Sequence, residues 1–539
     1  MAGLTSAIVN IPLGMANAIL ANVSPVLGLY TLMIATPVAA LATSSVFMNV
    51  SSTNALSVAA KDTLIGVPAQ ERTAHLAALV LLIGLVQLLF GVLKLGSMLR
   101  FISHSVMTGL RNGVATLIIL DQVSYLTGFS SPYNNKVLNL LEHILNWQQS
   151  NWPTLVIGIA TIALILILSF TRLKEMAMVL ALIMITVITV VVNPESVLLV
   201  GDISQLPDKL FNFTLPSLTA MASLVPSAIA IAILGLVQGA SVSQSHPNPD
   251  GNFSNNSRDF VGQGVANIAT SFFQGIPAGG STPGTTVAVR AGARSRLANL
   301  FTGLFVAPLV LLFGNYVAHV PVSALAGVLI IIGFQSFRPE GMLTVWQTGL
   351  SQRIAMVLTF TLTLLIPLQY AVLAGIAMTI LHNFFKSSNR VTVVEFEFPD
   401  HGFPIERQPA AALESHQLTV LYIYGSLFFA SASKLEARLP AVNHTTCAAV
   451  VLILRGRDEI GSTFIGVLER YHQALRARNG ALFLAGVAPQ VQKQLARTGL
   501  ASQFGENRIF LVQDQLGQSM NSAIIVAQQW LNSCPQKDD

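Results

Sequence analysis

Charge is what this sequence has least of. Lys, Arg, Asp and Glu make up 10% of its 539 residues, against a hydrophobic fraction of 53% and a mean hydropathy of +0.64. A soluble domain carries roughly a quarter charged residues, so an ordinary soluble protein is excluded. Cysteine is scarce as well. Cys447 and Cys534 both fall in the polar last third, which excludes a disulfide framework and fits structural thiols in a reducing compartment. No His/Cys group has metal-ligand spacing and no catalytic constellation is present, so no metal, cofactor or enzyme activity is expected. The formal charge of +5 comes from basic residues scattered between apolar runs rather than gathered on one face, which argues against nucleic acid as a partner. The first apolar stretch has no basic leader and many others follow it, so it does not read as a cleavable signal.

Long apolar runs are what the sequence has in plenty. A bilayer core of about 30 Å asks for roughly 17–25 apolar residues per helix. Such runs are readable near 3–21, 27–46, 75–93, 104–126, 153–170, 176–193, 224–245, 260–275, 298–314, 321–337, 354–368 and 369–385. Two shorter segments, 51–66 and 281–292, are rich in small polar residues. Counted as half-spans they bring the total to about fourteen, an even number that puts both termini on one side. Loops on that side carry Lys94, Arg100, Arg172, Lys174, Arg258, Arg294, Arg296, Arg338, Arg353, Lys386 and Arg390, and the opposite loops only Lys61, Arg72, Lys136 and Lys209. The bias predicts a multi-pass plasma (inner) membrane protein with a cytoplasmic C-terminus.

The stretch from Pro277 to Arg294, PAGGSTPGTTVAVRAGAR, breaks the apolar pattern with a hydroxyl-bearing, helix-hostile kink. Irregular backbone at membrane depth survives only where protein or a water-filled cavity satisfies it. Ser51, Ser52, Thr53 and Asn54 interrupt the third span in the same way, seven spans earlier. Small residues also permit close helix packing. A pair of broken segments in corresponding halves favours an inverted-repeat transporter with a polar midplane site.

After Arg390 the composition changes. VTVVEFEF, LTVLYIYG, AAVVLILRG, ALFLAGV and RIFLV read as strands; TFIGVLERYHQALRARN, APQVQKQLARTGL and SAIIVAQQWL read as helices. The alternation predicts a small cytoplasmic α/β domain. Domain bounds of 1–388 for the all-α polytopic part, 389–417 for a linker with the first strand, and 418–539 for the rest follow, with Pro399, Pro404 and Pro409 marking the linker over 398–417.

Several long motifs in order resemble the sulfate permease (SulP) family of anion transporters over nearly the whole chain. IPLGMANAILANVSPVLGLYT (Ile11–Thr31) is similar to the family's first-span signature, SHSVMTGLRNGVATLIILDQVSYLTG to its fifth span, and DFVGQGVANIATSFFQGIPAGGSTPGTTVAVRAGAR to its ninth and tenth. GSLFFASASKLE resembles the start of the STAS domain. The resemblance implies two inverted repeats of seven spans, core and gate domains, half-helices at spans three and ten that face one anion site, and a homodimer through membrane and STAS domains. By position, Ser51, Ser52, Thr53 and Asn54 form one half-site and Gly280, Ser281, Thr282 and Thr285 the other, with Met15 and Asn17 nearby. Free N–H groups and about half a positive charge at each helix start suit an anion. Hydroxyls can donate to it, and Gly280 would let backbone approach it.

Two departures from the family pattern matter. Gly284 stands where many members carry an Arg, which removes a fixed charge and weakens a claim for sulfate over bicarbonate. Gln238 stands where many bacterial members have a carboxylate; an amide cannot titrate, so proton coupling at Gln238 is not expected. Sodium would rely on carbonyls and on Ser241 and Ser243, and exchange against a counter-anion or uniport gains weight. Asp121 reads as an interface residue, Arg111 as a snorkelling side chain, Asp259 as a structural contact, and RDEIGSTFIG lacks the Asp of a STAS phosphorylation motif. The chain starts almost directly on its first span, so Met1 reads as a late start or a truncation. The reading that follows is elevator-type secondary transport of a small inorganic anion. A nucleobase symporter of related fold is the rival, disfavoured by the lack of acids at 238 and 284, and a membrane sensor signalling through STAS is the other.

Overall fold

Lipid offers backbone groups no hydrogen bonds, so the chain that crosses it must satisfy them internally. The computed structural model describes residues 1–97, 103–133, 136–192, 194, 196–203, 213–217, 219–388, 391–399, 403–425, 427, 432–443 and 445–534. They fall into two units, Met1–Ile380 and Leu381–Asp539.

The first unit opens with α1 (Ala2–Leu20) and α2 (Pro25–Ala42). The pair is pinched together where a Cβ on Gly28 would lie 1.9 Å from the Gly14 carbonyl oxygen, so only glycine fits. Strand β1 (Asn49–Ser52) then leads into the short α3 (Asn54–Thr63). Next come α4 (Ala69–Val92), α5 (His104–Thr127), α6 (Lys136–Leu145), α7 (Trp152–Ser169), α8 (Ala177–Val192) and α9 (Val200–Ile203). Two long helices, α10 (Met221–Ser245) and α11 (Asn256–Ser271), again precede a strand, β2 (Ala278–Ser281), and a short helix, α12 (Thr282–Arg290). The unit closes with α13 (Leu297–Ala318), α14 (Val322–Ser336), α15 (Pro339–Thr348) and α16 (Leu350–Leu365), and α17 (Leu368–Ser388) carries the chain out.

Among the described residues, six helical stretches are long and apolar enough to cross a membrane, and four shorter helices are apolar too. Lipid-facing surface explains side chains such as Phe170, Val191 and Leu312, exposed by 89%, 79% and 72%. Sequence reading does not anticipate α6 and α15, because helices of ten residues with mixed polarity do not register as spans.

Packing divides the helices of this unit into two groups. Helices α1, α2, α4, α10, α11 and α13 pack on one another and enclose the strands, α3 and α12; α5, α7, α8, α14 and α16 pack among themselves. Junctions between the groups are few, the main ones being α1 against α8 and α14, and α3 against α5.

The second unit holds a six-stranded sheet in the order β4-β3-β5-β6-β7-β8. Its elements are β3 (Thr392–Glu397), β4 (Ile405–Arg407), β5 (Leu418–Tyr424), α18 (Ala432–Glu436), β6 (Ala449–Ile453), α19 (Ser462–Arg476), β7 (Ala481–Val487), α20 (Pro489–Arg497), α21 (Leu500–Phe504), β8 (Ile509–Leu511) and α22 (Gln518–Asn532). Strands β5 to β8 run parallel and are covered on both faces, which is why AVVLI and ALFLAGV are unbroken apolar runs. The stretch 398–417, read as linker, has its own short strand. This is β4, which pairs antiparallel with β3, and Pro399, Pro404 and Pro409 sit outside the ladder, where a missing N–H costs nothing. Residues 426 and 428–431 of the GSLFFASASKLE motif lie outside the described residues.

His472 on α19 is 2% exposed and lies edge-on to Phe504. Burial, with Arg508 nearby, holds its imidazole below the ordinary range. The folded chain therefore binds this proton less readily than the unfolded chain, and the stability is full above the unfolded value of about 6.5 and falls as pH drops below it. Hydrogen exchange of the full chain, corrected for intrinsic rates, is expected to show α19 losing protection between pH 7.5 and 5.5, roughly across that titration. His472→Leu should flatten the dependence.

Candidate functional site

The two strands pair antiparallel at the heart of the first packing group, Asn49 opposite Ser281 and Ser52 opposite Ala278. Their last residues, Ser52 and Ser281, thus stand at opposite ends of a ladder of roughly 10 Å. From those ends α3 and α12 set off in opposite directions.

Each four-residue strand has a buried backbone that its one partner cannot satisfy, and side chains from the surrounding helices complete it. Thr36 donates to the Val50 carbonyl (2.8 Å) and Asn17 Nδ2 to that of Ser52 (2.9 Å). Asn267 brackets Ala278, donating to its carbonyl and accepting from its N–H, both at 2.8 Å, while its amide also donates to Gln87 Oε1 at 2.8 Å. Thr31 does the same for Ile276, at 3.1 and 2.7 Å. Asn299 donates to the carbonyls of Phe47 and Met48 and accepts from Asn49 Nδ2. Leaving one such group unpaired costs about 1–3 kcal/mol. Of these amides and hydroxyls sequence reading singled out Asn17 alone, although single Asn, Gln and Thr residues inside apolar runs are the signal that would have found the others.

The helix starts differ from one another. No side chain caps α3, so the N–H groups of Asn54, Ala55 and Leu56 are left for water or a ligand. In α12, Ser281 Oγ accepts from the Gly284 N–H at 3.2 Å and Pro283 has no N–H, which leaves Thr282 as its free amide. The dipole favours an anion at both ends, but α3 offers more donors.

Thr53 and Asn54 are half-buried at the α3 start and Thr282 is exposed at the α12 start, so all three can meet a ligand. Thr53 Oγ1 donates to Gln238 Oε1 at 3.0 Å, which turns the Gln238 amide hydrogens away from Thr53 without a protein partner among the described residues. Ser241, three residues on along α10, is also half-buried, whereas Ser243 is buried and donates to the Ala240 carbonyl within the helix. Ser51 and Ser52 are buried in β1, and Ser52 Oγ accepts from Asn17 at 3.3 Å. Met15 is 1% exposed among apolar neighbours.

Three of the expected ligands make contacts within the frame. Thr285 Oγ1 accepts from the Asn49 N–H (2.9 Å) and donates to the Ser281 carbonyl (2.7 Å), so its one proton is used. Asn17 ties α1 to the end of β1. Gly280 is required by a neighbour rather than by an anion, because a Cβ there would lie 2.5 Å from the Gly239 Cα on α10. Gly284 has a similar cause, its Cβ position being 2.7 Å from Asn49 Oδ1 and 3.1 Å from Asn10 Oδ1.

Comparison with known proteins follows this geometry. The model of the sulfate permease family matches residues 1–351, and that of the STAS domain matches residues 410–515. The chain is 25% identical over 568 residues to the chloroplastic sulfate transporter 4.1 of Arabidopsis thaliana, covering 100% of this chain and 81% of that one. The murine Solute Carrier 26 family member A9 anion transporter, solved in the inward-facing state, superposes with a TM-score of 0.82 at 17% identity, over 98% of this chain and 90% of the other. The transmembrane domain of the cyanobacterial bicarbonate transporter BicA gives a TM-score of 0.60 at 21% identity, over 70% and 96%. At these identities the two structural likenesses are likenesses of fold.

Packing at Gly284 makes a stability prediction. Gly284→Ala should cost about 1–3 kcal/mol by pushing on Asn49, read as a lower unfolding temperature in detergent. Asn49→Ala should recover part of that loss, giving a double-mutant coupling of about 1 kcal/mol; strictly additive losses would show that the methyl group is accommodated elsewhere.

Proposed function

The chain belongs to the sulfate permease family, a family of anion transporters and not of enzymes, and from that premise we propose that it carries a small inorganic anion of the sulfate or bicarbonate class across a membrane. The uncapped start of α3 beside the Thr53–Gln238 pair is the observation that carries this reading. Its free amides, the Thr282 hydroxyl and the two helix dipoles provide donors without a full positive charge, so an anion is held weakly enough to leave again.

Movement follows from the packing groups. The group that encloses the strands would slide past the other as an elevator, exposing the site to each side in turn, and the two strand-and-short-helix segments would belong to two inverted repeats of seven spans. The excess of Lys and Arg in the loops beside the termini favours a C-terminal domain in the cytoplasm of a cell bounded by a plasma (inner) membrane. Gln238 carries no charge at any pH, which favours exchange against a counter-anion or uniport over proton symport; a sodium ion would have Ser241 but no carboxylate beside it. A homodimer is the assembly proposed. The lack of an acid at positions 238 and 284 counts against a nucleobase symporter, and the intact half-helix site counts against a sensor without transport.

Purified protein in liposomes should take up labelled sulfate, bicarbonate or chloride; uptake of nucleobases alone, with no anion moved under any sodium, pH or counter-anion gradient, would refute the proposal. Thr282→Phe should reduce anion uptake at least tenfold in protein that remains monodisperse, about 1.4 kcal/mol of lost binding or more. Gln238→Glu should make uptake fall as pH rises through the carboxyl titration, since the ionised form repels the anion. A flat pH profile would place Gln238 away from the path.

A further inference from the structure

Two lysines and two aspartates meet where the packing groups touch. Lys61, in the last turn of α3, donates to both oxygens of Asp121 on α5, at 2.7 and 2.8 Å. Lys136, the first residue of α6, donates to the same Oδ1. The three side chains are only 18%, 7% and 28% exposed. The next residue of α3, Asp62, accepts from the Leu368 N–H at the start of α17, at 2.9 Å. Helix α3 belongs with the strands and the candidate anion site; α5 belongs to the other group. One end of α3 therefore starts at the candidate site and the other is tied by charge across the seam.

A permanent clamp would be built differently. Replacing a buried ion pair by well-packed apolar side chains is often neutral or stabilising, so charge is a poor choice for a seam that never opens. For one that does open, it is a good choice. When the seam parts, water solvates each ion and repays most of the lost attraction, whereas a parted apolar seam is repaid nothing. Lys61 and Lys136 belong to the loops opposite the Lys- and Arg-rich ones, the side that the charge bias makes the outer one.

We infer that Lys61, Asp121 and Lys136 form the outer latch of the transport cycle: closed, they bar the path on the outer face; open, they free two lysines to draw an anion toward the α3 site. The inference rests on the alternating-access reading above.

A test that does not need transport separates the two. With Cys447 and Cys534 replaced by Ser, Thr53→Cys places a thiol at the site, and its labelling by a membrane-impermeant methanethiosulfonate is timed from the outer face. Asp121→Asn should raise the outer labelling rate at least tenfold, because the two lysines then repel without a counter-charge. Asp121→Glu should keep the original rate. Unchanged labelling in monodisperse Asp121→Asn protein would overturn the latch. Should that variant not fold, Lys61→Gln combined with Asp121→Asn removes the pair without stranding Lys61, and the same rise or its absence decides. If the unaltered protein moves no anion while Asp121→Asn still opens the outer face, the transport reading fails and the latch stands.

Discussion

Everything around the candidate site depends on one constraint: eight residues of extended backbone are buried where no bulk water reaches. Strands β1 and β2 satisfy part of their N–H and C=O groups on each other; Thr36, Asn17 and Asn267 bond further strand groups, and Thr31 and Asn299 bond the backbone just before each strand, at Ile276, Phe47 and Met48. These side chains come from α1, α2, α11 and α13, four helices of the same packing group. Satisfying the strands thus binds that group into one body. A body held this way can move as a unit without leaving a polar group bare.

The same economy shapes the site. Glycines at 239, 280 and 284 answer to near neighbours, and Ser281 and Thr285 answer to the backbone of the strands and of α12. Left over for a ligand among the described residues of the site are the first amides of α3, the Asn54 side chain, the Thr282 hydroxyl and amide, and the Gln238 amide. The two strand-and-short-helix segments are alike in backbone and unlike in what they leave free. Fixed charge is kept away from this point and concentrated instead at the far end of α3, on Lys61, Asp121 and Lys136.

Local sequence determined much of this protein. Spans, half-spans, the order of strands and helices after Arg390 and the position of the two polar breaks are all functions of local composition and period, and the motifs carried the family. The family resemblance, applied by position, also placed Thr53, Asn54 and Thr282 where half-helices begin.

Tertiary structure decided which side chains are spoken for. That the Thr285 hydroxyl accepts from the Asn49 N–H, that Gly280 answers to Gly239, and that Asp121 meets Lys61 across a seam are consequences of contacts between residues far apart in the chain. A hydrogen-bond donor reads the same in sequence whether it faces a ligand or a carbonyl. Only the fold, by setting what lies within 3 Å of it, determines which of the two it serves.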